Sequence, residues 1–312
     1  MSDLTRKWST AIGLILATLG LAFVGRAVTS DWHALQEAIS AANWAWLFAG
    51  FLAGLLGMAL AALGWSRTLT ILGSEHPTAL ALRWYFVGQL GKYIPGGVWS
   101  VMGSSELASG WGVPRTRSYS AMLISLAALY LAGAFVVAAI LPFQDILPLG
   151  RLWMVLIALA LPVLLAGLHP ALLRLWIGIL GRLIGRKPDV VIPPWRDLVR
   201  LTIFHVPVWV GLGFATWCVA QALGVGAPVH EIVFAAVLAW VVGFLVIPAP
   251  GGLGIREAVF TLSAVSLDSG IAAAVALLAR ILFVMVDIVT ALLVAPALPV
   301  SSPDHRVMDE EG

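Results

Sequence analysis

Inside otherwise apolar stretches of this chain, polar and ionisable side chains gather in three places. Gln89, Lys92, Tyr93 and Glu106 surround one glycine-proline break, Arg256 and Glu257 follow a second, and Arg280 and Asp287 lie in the last apolar run. A charge at the centre of a bilayer costs about 2.5–3.5 kcal/mol on insertion scales, so each is a functional candidate by default. Gly251, Gly252 and Gly254 just precede Arg256. Glycines let backbone N–H groups approach a ligand closely, and a half-helix starting there offers its N-terminus to an anion. With the Arg256 guanidinium added, this is a cradle suited to a lipid phosphate or pyrophosphate. The alternative is that Arg256 pairs with Glu257 or Asp287 and only holds a broken helix together. Arg280 and Asp287, seven residues apart, share one helix face, which should point inward. Arg280 is the rival for the phosphate, with Asp287 available to neutralise it. His205, near a membrane end, reads as a satisfied structural histidine.

Other chemistry leaves no signature. The sequence has no P-loop, no Gly-x-Ser-x-Gly, no His-Glu-x-x-His and no Asp-x-Asp. Its one cysteine, Cys218, can form no internal disulfide and implies no metal site. No cofactor and no metal are expected, and the basic residues are too few and too scattered for nucleic acid.

The breaks that position these residues look like copies. Gly88 lies seven residues before Pro95 of Pro95-Gly96-Gly97, and Gly243 seven before Pro250 of Pro250-Gly251-Gly252; Leu90 and Leu245 each lie five before. A Glu follows each, Glu106 and Glu257. Breaking a helix inside a bilayer strands backbone polar groups unless protein or a water-filled cavity re-satisfies them. Paired breaks in two halves are the best sequence pointer to a transport site. They predict re-entrant or broken helices whose tips meet in the interior, with the halves related as an inverted repeat.

Composition supplies the bilayer. Of 312 residues, 61% are hydrophobic and 11% charged, where a soluble domain carries about 25% charge. The fold class is an all-α polytopic membrane bundle with about seven spans. Candidates are 8–28, 43–64, 118–141, 151–168, 201–223, 232–247 and 271–298. The pieces 84–100 and 254–267 read as the re-entrant elements. Residues 1–300 form a single membrane domain, and 301–312 a short polar tail; the run from Trp8 to Val24 reads as a retained first helix rather than a signal peptide. Arg67, Arg83, Arg115, Arg117 and the basic segment 169–200 predict one cytoplasmic face shared with the N-terminus in the cell membrane, while 142–150 and 224–231 hold no Lys or Arg. Residues 171–187 read as a basic amphipathic helix on the inner leaflet, anchored by Trp176. Trp8, Trp44, Trp46, Trp65, Trp153 and Trp195 fall near span ends, as an interfacial aromatic belt would. Trp84 and Trp99, which bracket the first break, read as packing or anchoring residues.

At 88–99 (GQLGKYIPGGVW) and 248–257 (PAPGGLGIRE) the chain resembles the two signature stretches of the flippase-like integral membrane family. That family includes the membrane half of lysylphosphatidylglycerol synthases and stand-alone relatives encoded near glycosyltransferases. The resemblance covers about residues 10–297. It implies a helical bundle with re-entrant helices that moves a lipid between leaflets, such as an aminoacyl phospholipid or an isoprenoid-linked glycan. Carried over residue by residue, the implied substrate path is Lys92, Tyr93, Pro95, Gly96, Gly97, Pro250, Gly251, Gly252, Gly254, Arg256 and Glu257. The chain ends at 312, leaving no room for the soluble aminoacyl-transferase half, so no enzyme activity is expected. The implied partners are anionic or phosphate-bearing membrane lipids, with a glycosyltransferase or synthase beside them. Two rival functions are a membrane scaffold for such an enzyme and a polyprenyl-type transferase using Glu106, Glu257 or Asp287.

Overall fold

The computed structural model describes residues 42–93, 98–144, 169–175, 190–245 and 254–294, together with Ser40, Ala166 and Gly167. All of the secondary structure among them is helical. Eight α-helices follow in order: α1 (Trp44–Ile71), α2 (Thr78–Gln89), α3 (Trp99–Gly110), α4 (Arg115–Ile140), α5 (Trp195–Ala222), α6 (Val229–Leu245), α7 (Ile255–Ser263) and α8 (Ser269–Val294). A 3-10 turn, Leu90–Tyr93, extends α2, and another, Leu141–Phe143, ends α4.

Local chemistry sets the ends. The Asn43 side chain accepts the Ala45 N–H at 3.0 Å and caps α1. Pro114 and Pro194 stand immediately before α4 and α5, and neither helix N-terminus has a side-chain cap. α1 and α5 have 28 residues each and α4 and α8 have 26, so each is about 40 Å long at 1.5 Å per residue. All four are long and apolar enough to cross a ~30 Å hydrocarbon core. They match the expected spans 43–64, 118–141, 201–223 and 271–298. The expected spans 8–28 and 151–168, the tail 301–312 and nearly all of 171–187 lie outside the described residues.

The expected span 232–247 is corrected. α6 is 17 residues long, and α7 returns antiparallel beside it: Gly243 meets Arg256 near the tip, and the Glu231 carboxylate accepts the Ser266 N–H at 2.7 Å near the base. Both arms therefore enter and leave at one end. Apolarity does not tell a short span from the first arm of such a hairpin. α2 and α3 form a matching hairpin, with Gly88 against Ser104 and Gly91 against Trp99.

Long helix, hairpin, long helix thus occurs twice, as α1–α4 and as α5–α8. α1 and α5 cross along a seam of close approaches, Gly50 to Cys218, Gly57 to Leu212 and Gly64 to His205, which run in opposite chain directions. The Asn43 N–H reaches the Ala222 carbonyl at 2.8 Å, so the start of α1 meets the end of α5. Small residues let two backbones approach where lipid gives no hydrophobic drive. Since α1 and α5 are antiparallel, the two units are inverted, and their hairpins enter from opposite ends.

The basic side chains gather at one end: the Arg67 guanidinium lies over the Phe204 ring and Arg117 donates to the Gly73 carbonyl at 2.8 Å, with Arg83 and Arg115 on the same side. At the opposite end stand His230, Glu231 and Asp268. Trp44 and Trp195 start their helices and are exposed, as interfacial residues would be. Trp65 is not part of such a belt: it is fully buried against Tyr85, because the first hairpin covers that face of α1.

Candidate functional site

The two hairpin tips converge on α8 and are tied to it separately. From the first, Lys92 Nζ pairs with Asp287 Oδ2 at 2.6 Å, and the Tyr93 hydroxyl donates to the same oxygen. From the second, Glu257 Oε1 accepts from the Arg280 guanidinium. Arg280 and Asp287 do share a face, as expected, but they lie about 10.5 Å apart along the axis at 1.5 Å per residue. That is too far to pair with each other, so each holds a different hairpin.

Arg256 has no such tie. Its guanidinium lies flat over the Trp240 ring, 3.8 Å from the centroid, in the groove beside Gly243. A Cβ on Gly243 would come within 2.8 Å of Arg256 Nε, so this glycine makes the berth for the side chain. Among the described residues no carboxylate pairs with Arg256, and its buried Nε has no acceptor. Glu257 Oε2 is likewise buried without a donor. Stacking on an indole leaves the in-plane N–H groups of a guanidinium available to an anion.

Lys92, Tyr93, Trp240, Arg256, Glu257 and Arg280 line one cavity of about 100 Å³, with an apolar floor from α5, α6, α7 and α8. That is room for about three waters, or for one polar group of similar size. Three cations face two carboxylates here, counting Asp287 behind Lys92, so one positive charge is in excess. A concave site with a few convergent polar groups suits a ligand's charged end. Gly254, at φ +79°, starts α7, whose first turn has no side-chain cap.

Of the residues singled out from sequence, Lys92, Tyr93, Arg256, Glu257, Arg280 and Asp287 come together. Gln89 is buried at the end of α2. Pro95, Gly96, Gly97, Pro250, Gly251 and Gly252 lie outside the described residues. Glu106 is not brought to the cavity. It sits late in α3, paired with Arg115 at 2.9 Å and accepting the Tyr119 hydroxyl at 2.9 Å. It is eleven residues past its Pro, where Glu257 is seven past. The two therefore fall a full turn out of register. His205 is structural: its Nδ1 bonds the Leu201 carbonyl at 2.7 Å, buried against Gly64. Trp240, which carries the Arg256 stack, was not visible as a site residue, since one tryptophan in an apolar run has no distinguishing spacing. Glu231, read as a loop acid, is buried and closes the base of the second hairpin.

A family model described as the lysylphosphatidylglycerol synthase TM region matches residues 10–295, and the chain belongs to that family. No curated protein matches it. The family and the four long apolar helices make this a membrane protein of lipid-related function.

Proposed function

From that family and from the cavity between the hairpins, we propose that the chain moves an anionic, phosphate-bearing lipid between leaflets, holding the headgroup phosphate on Arg256. The observation that carries this reading is the Arg256 side chain, stacked on Trp240 and unpaired among the described residues, beside two satisfied ion pairs. Arg280 and Lys92 already answer a carboxylate, so a phosphate gains most from the guanidinium that does not. Broken helices meeting inside an inverted repeat are the usual setting for such a site. The proposed activity makes and breaks no covalent bond, and the basic end faces the cytoplasm in the cell membrane.

The test is movement of fluorescent lipids, aminoacyl, phosphatidyl and isoprenoid-linked, in vesicles containing the purified chain. A hydrogen bond to a charged group is worth about 1.5–3 kcal/mol, so Arg256→Lys, which loses the fork, is expected to slow movement roughly tenfold. Arg280→Lys keeps a cation for Glu257 and is expected to slow it less. Wild-type rates in Arg256→Lys would reject the site. A product formed from lipid by the purified chain alone would reject translocation in favour of a transferase. Vesicles in which no lipid moves, with activity appearing only in a partner enzyme, would favour a scaffold.

A further inference from the structure

Arg256 and Glu257 are consecutive, line the same cavity, and are each left with one unmet hydrogen-bonding atom. The orphan on Arg256 is a donor, Nε–H; the orphan on Glu257 is an acceptor, Oε2. A buried polar group without a partner is costly, and such groups in native structures call for an explanation. A bare phosphate would answer only the first. A phosphate with a hydrogen-bond donor a few atoms away would answer both. The charge in the cavity then chooses between donors. With one positive charge in excess, a headgroup of net charge −1 brings the site to neutrality, whereas a phosphate with its own ammonium is neutral and leaves that charge standing. A hydroxyl supplies a donor without changing the charge.

Building on the transport reading above, we propose that the site selects a monoanionic phosphodiester headgroup bearing a free hydroxyl, with the phosphate on Arg256 and the hydroxyl donating to Glu257 Oε2. Glu257 is then the specificity-determining residue. It is held in place because its other oxygen is occupied by Arg280. Arg256 sets affinity for phosphate in general.

The experiment measures calorimetric binding of three short-chain lipids, with dihexanoyl tails, to the purified full chain in detergent. Phosphatidylglycerol has the charge and the hydroxyl. Phosphatidylmethanol has the same charge and no hydroxyl. Phosphatidylethanolamine has an ammonium donor and no net charge. Phosphatidylglycerol is expected to bind about tenfold tighter than phosphatidylmethanol, the scale of one hydrogen bond to a charged acceptor, and tighter than phosphatidylethanolamine. In Glu257→Gln the preference over phosphatidylmethanol should shrink to about twofold, while Arg256→Lys should weaken both anionic lipids and leave their ratio in place. Equal binding of phosphatidylglycerol and phosphatidylmethanol by the wild-type chain overturns the hydroxyl contact and leaves the transport reading standing. Tighter binding of phosphatidylethanolamine overturns the charge argument. Binding of none of the three, with no lipid movement in vesicles, overturns both readings. The wild-type comparison decides even if Glu257→Gln fails to fold.

Discussion

The two hairpins share one backbone plan and diverge at the glycine nearest each tip. In the first, Gly88 lies against backbone: a Cβ there would stand 2.7 Å from Ser104 Cα, and Gly103 presses back on Gly88. In the second, Gly243 lies against a side chain, the Arg256 stem and Nε. The same residue type at the same offset from its Pro closes one hairpin and opens a berth in the other. The charged groups diverge likewise. The first hairpin presents Lys92 and Tyr93, both committed to Asp287. The second presents Glu257, committed to Arg280, and Arg256, committed to no carboxylate. An inverted repeat can therefore keep its frame while one half becomes a fixed wall and the other a binding arm.

The sharpest way to break this comparison is to add one methyl to each glycine. Gly88→Ala drives a Cβ into backbone that has nowhere to go, and overpacking of this kind costs about 1–3 kcal/mol or more. It is expected to lower the thermal midpoint markedly and to reduce yield. Gly243→Ala meets a flexible side chain that can move. It should melt near wild type, yet lose lipid movement because Arg256 is displaced from Trp240. Equal destabilisation by both would show that the second glycine is also a backbone contact.

Next in size are the two ties to α8. Lys92→Met leaves Asp287, almost wholly buried, without its cation, and removing one partner of a buried pair costs about 3–5 kcal/mol. Hydrogen exchange should rise in α2 and α3 and stay unchanged in α6 and α7. Uniform loosening of both hairpins would mean that they are not held independently.

How much of this was legible in the sequence follows from what each signal depends on. The breaks were readable because Pro and Gly disrupt a helix by local sterics, and their matched offsets exposed the repeat. The membrane class was readable from composition. The pairing of charges was not: Arg280 and Asp287 look like partners on a helical wheel, but ion pairs form across helices, and only the packing assigns Arg280 to Glu257 and Asp287 to Lys92. Glu106 and Glu257 seemed equivalent because each follows a break, but the four-residue difference in offset puts one at the cavity and the other beside Arg115. Trp65 and α6 were misread for one reason, the second arm of a hairpin that hydropathy cannot see.

A third test leaves stability untouched and asks whether the hairpins enter from opposite sides. Glu75 stands just before the first hairpin and His230 at the start of the second, and both are exposed. Cys218, the only native cysteine, is buried, so its background is low. A membrane-impermeant thiol reagent applied to intact cells should label His230→Cys and miss Glu75→Cys until the membrane is opened. The reverse pattern would keep the inverted repeat but turn the basic end outward; labelling of both would end the inversion.

The smallest expected effect separates the two donors on Asp287. Lys92 and Tyr93 reach the same oxygen, Oδ2, from adjacent positions in one 3-10 turn. Tyr93→Phe removes one neutral donor and leaves the ammonium in place, so the carboxylate stays compensated and the cost should be about 1 kcal/mol. The ring, half of which faces the cavity wall, is retained, so the volume of the site changes little. Lipid movement should therefore fall by less than about fivefold, well short of the loss from Arg256→Lys. If Tyr93→Phe instead matched Arg256→Lys in transport while melting like wild type, the tyrosine hydroxyl would be a ligand contact in its own right. The first hairpin would then be a second binding arm, and the division between wall and arm would fall.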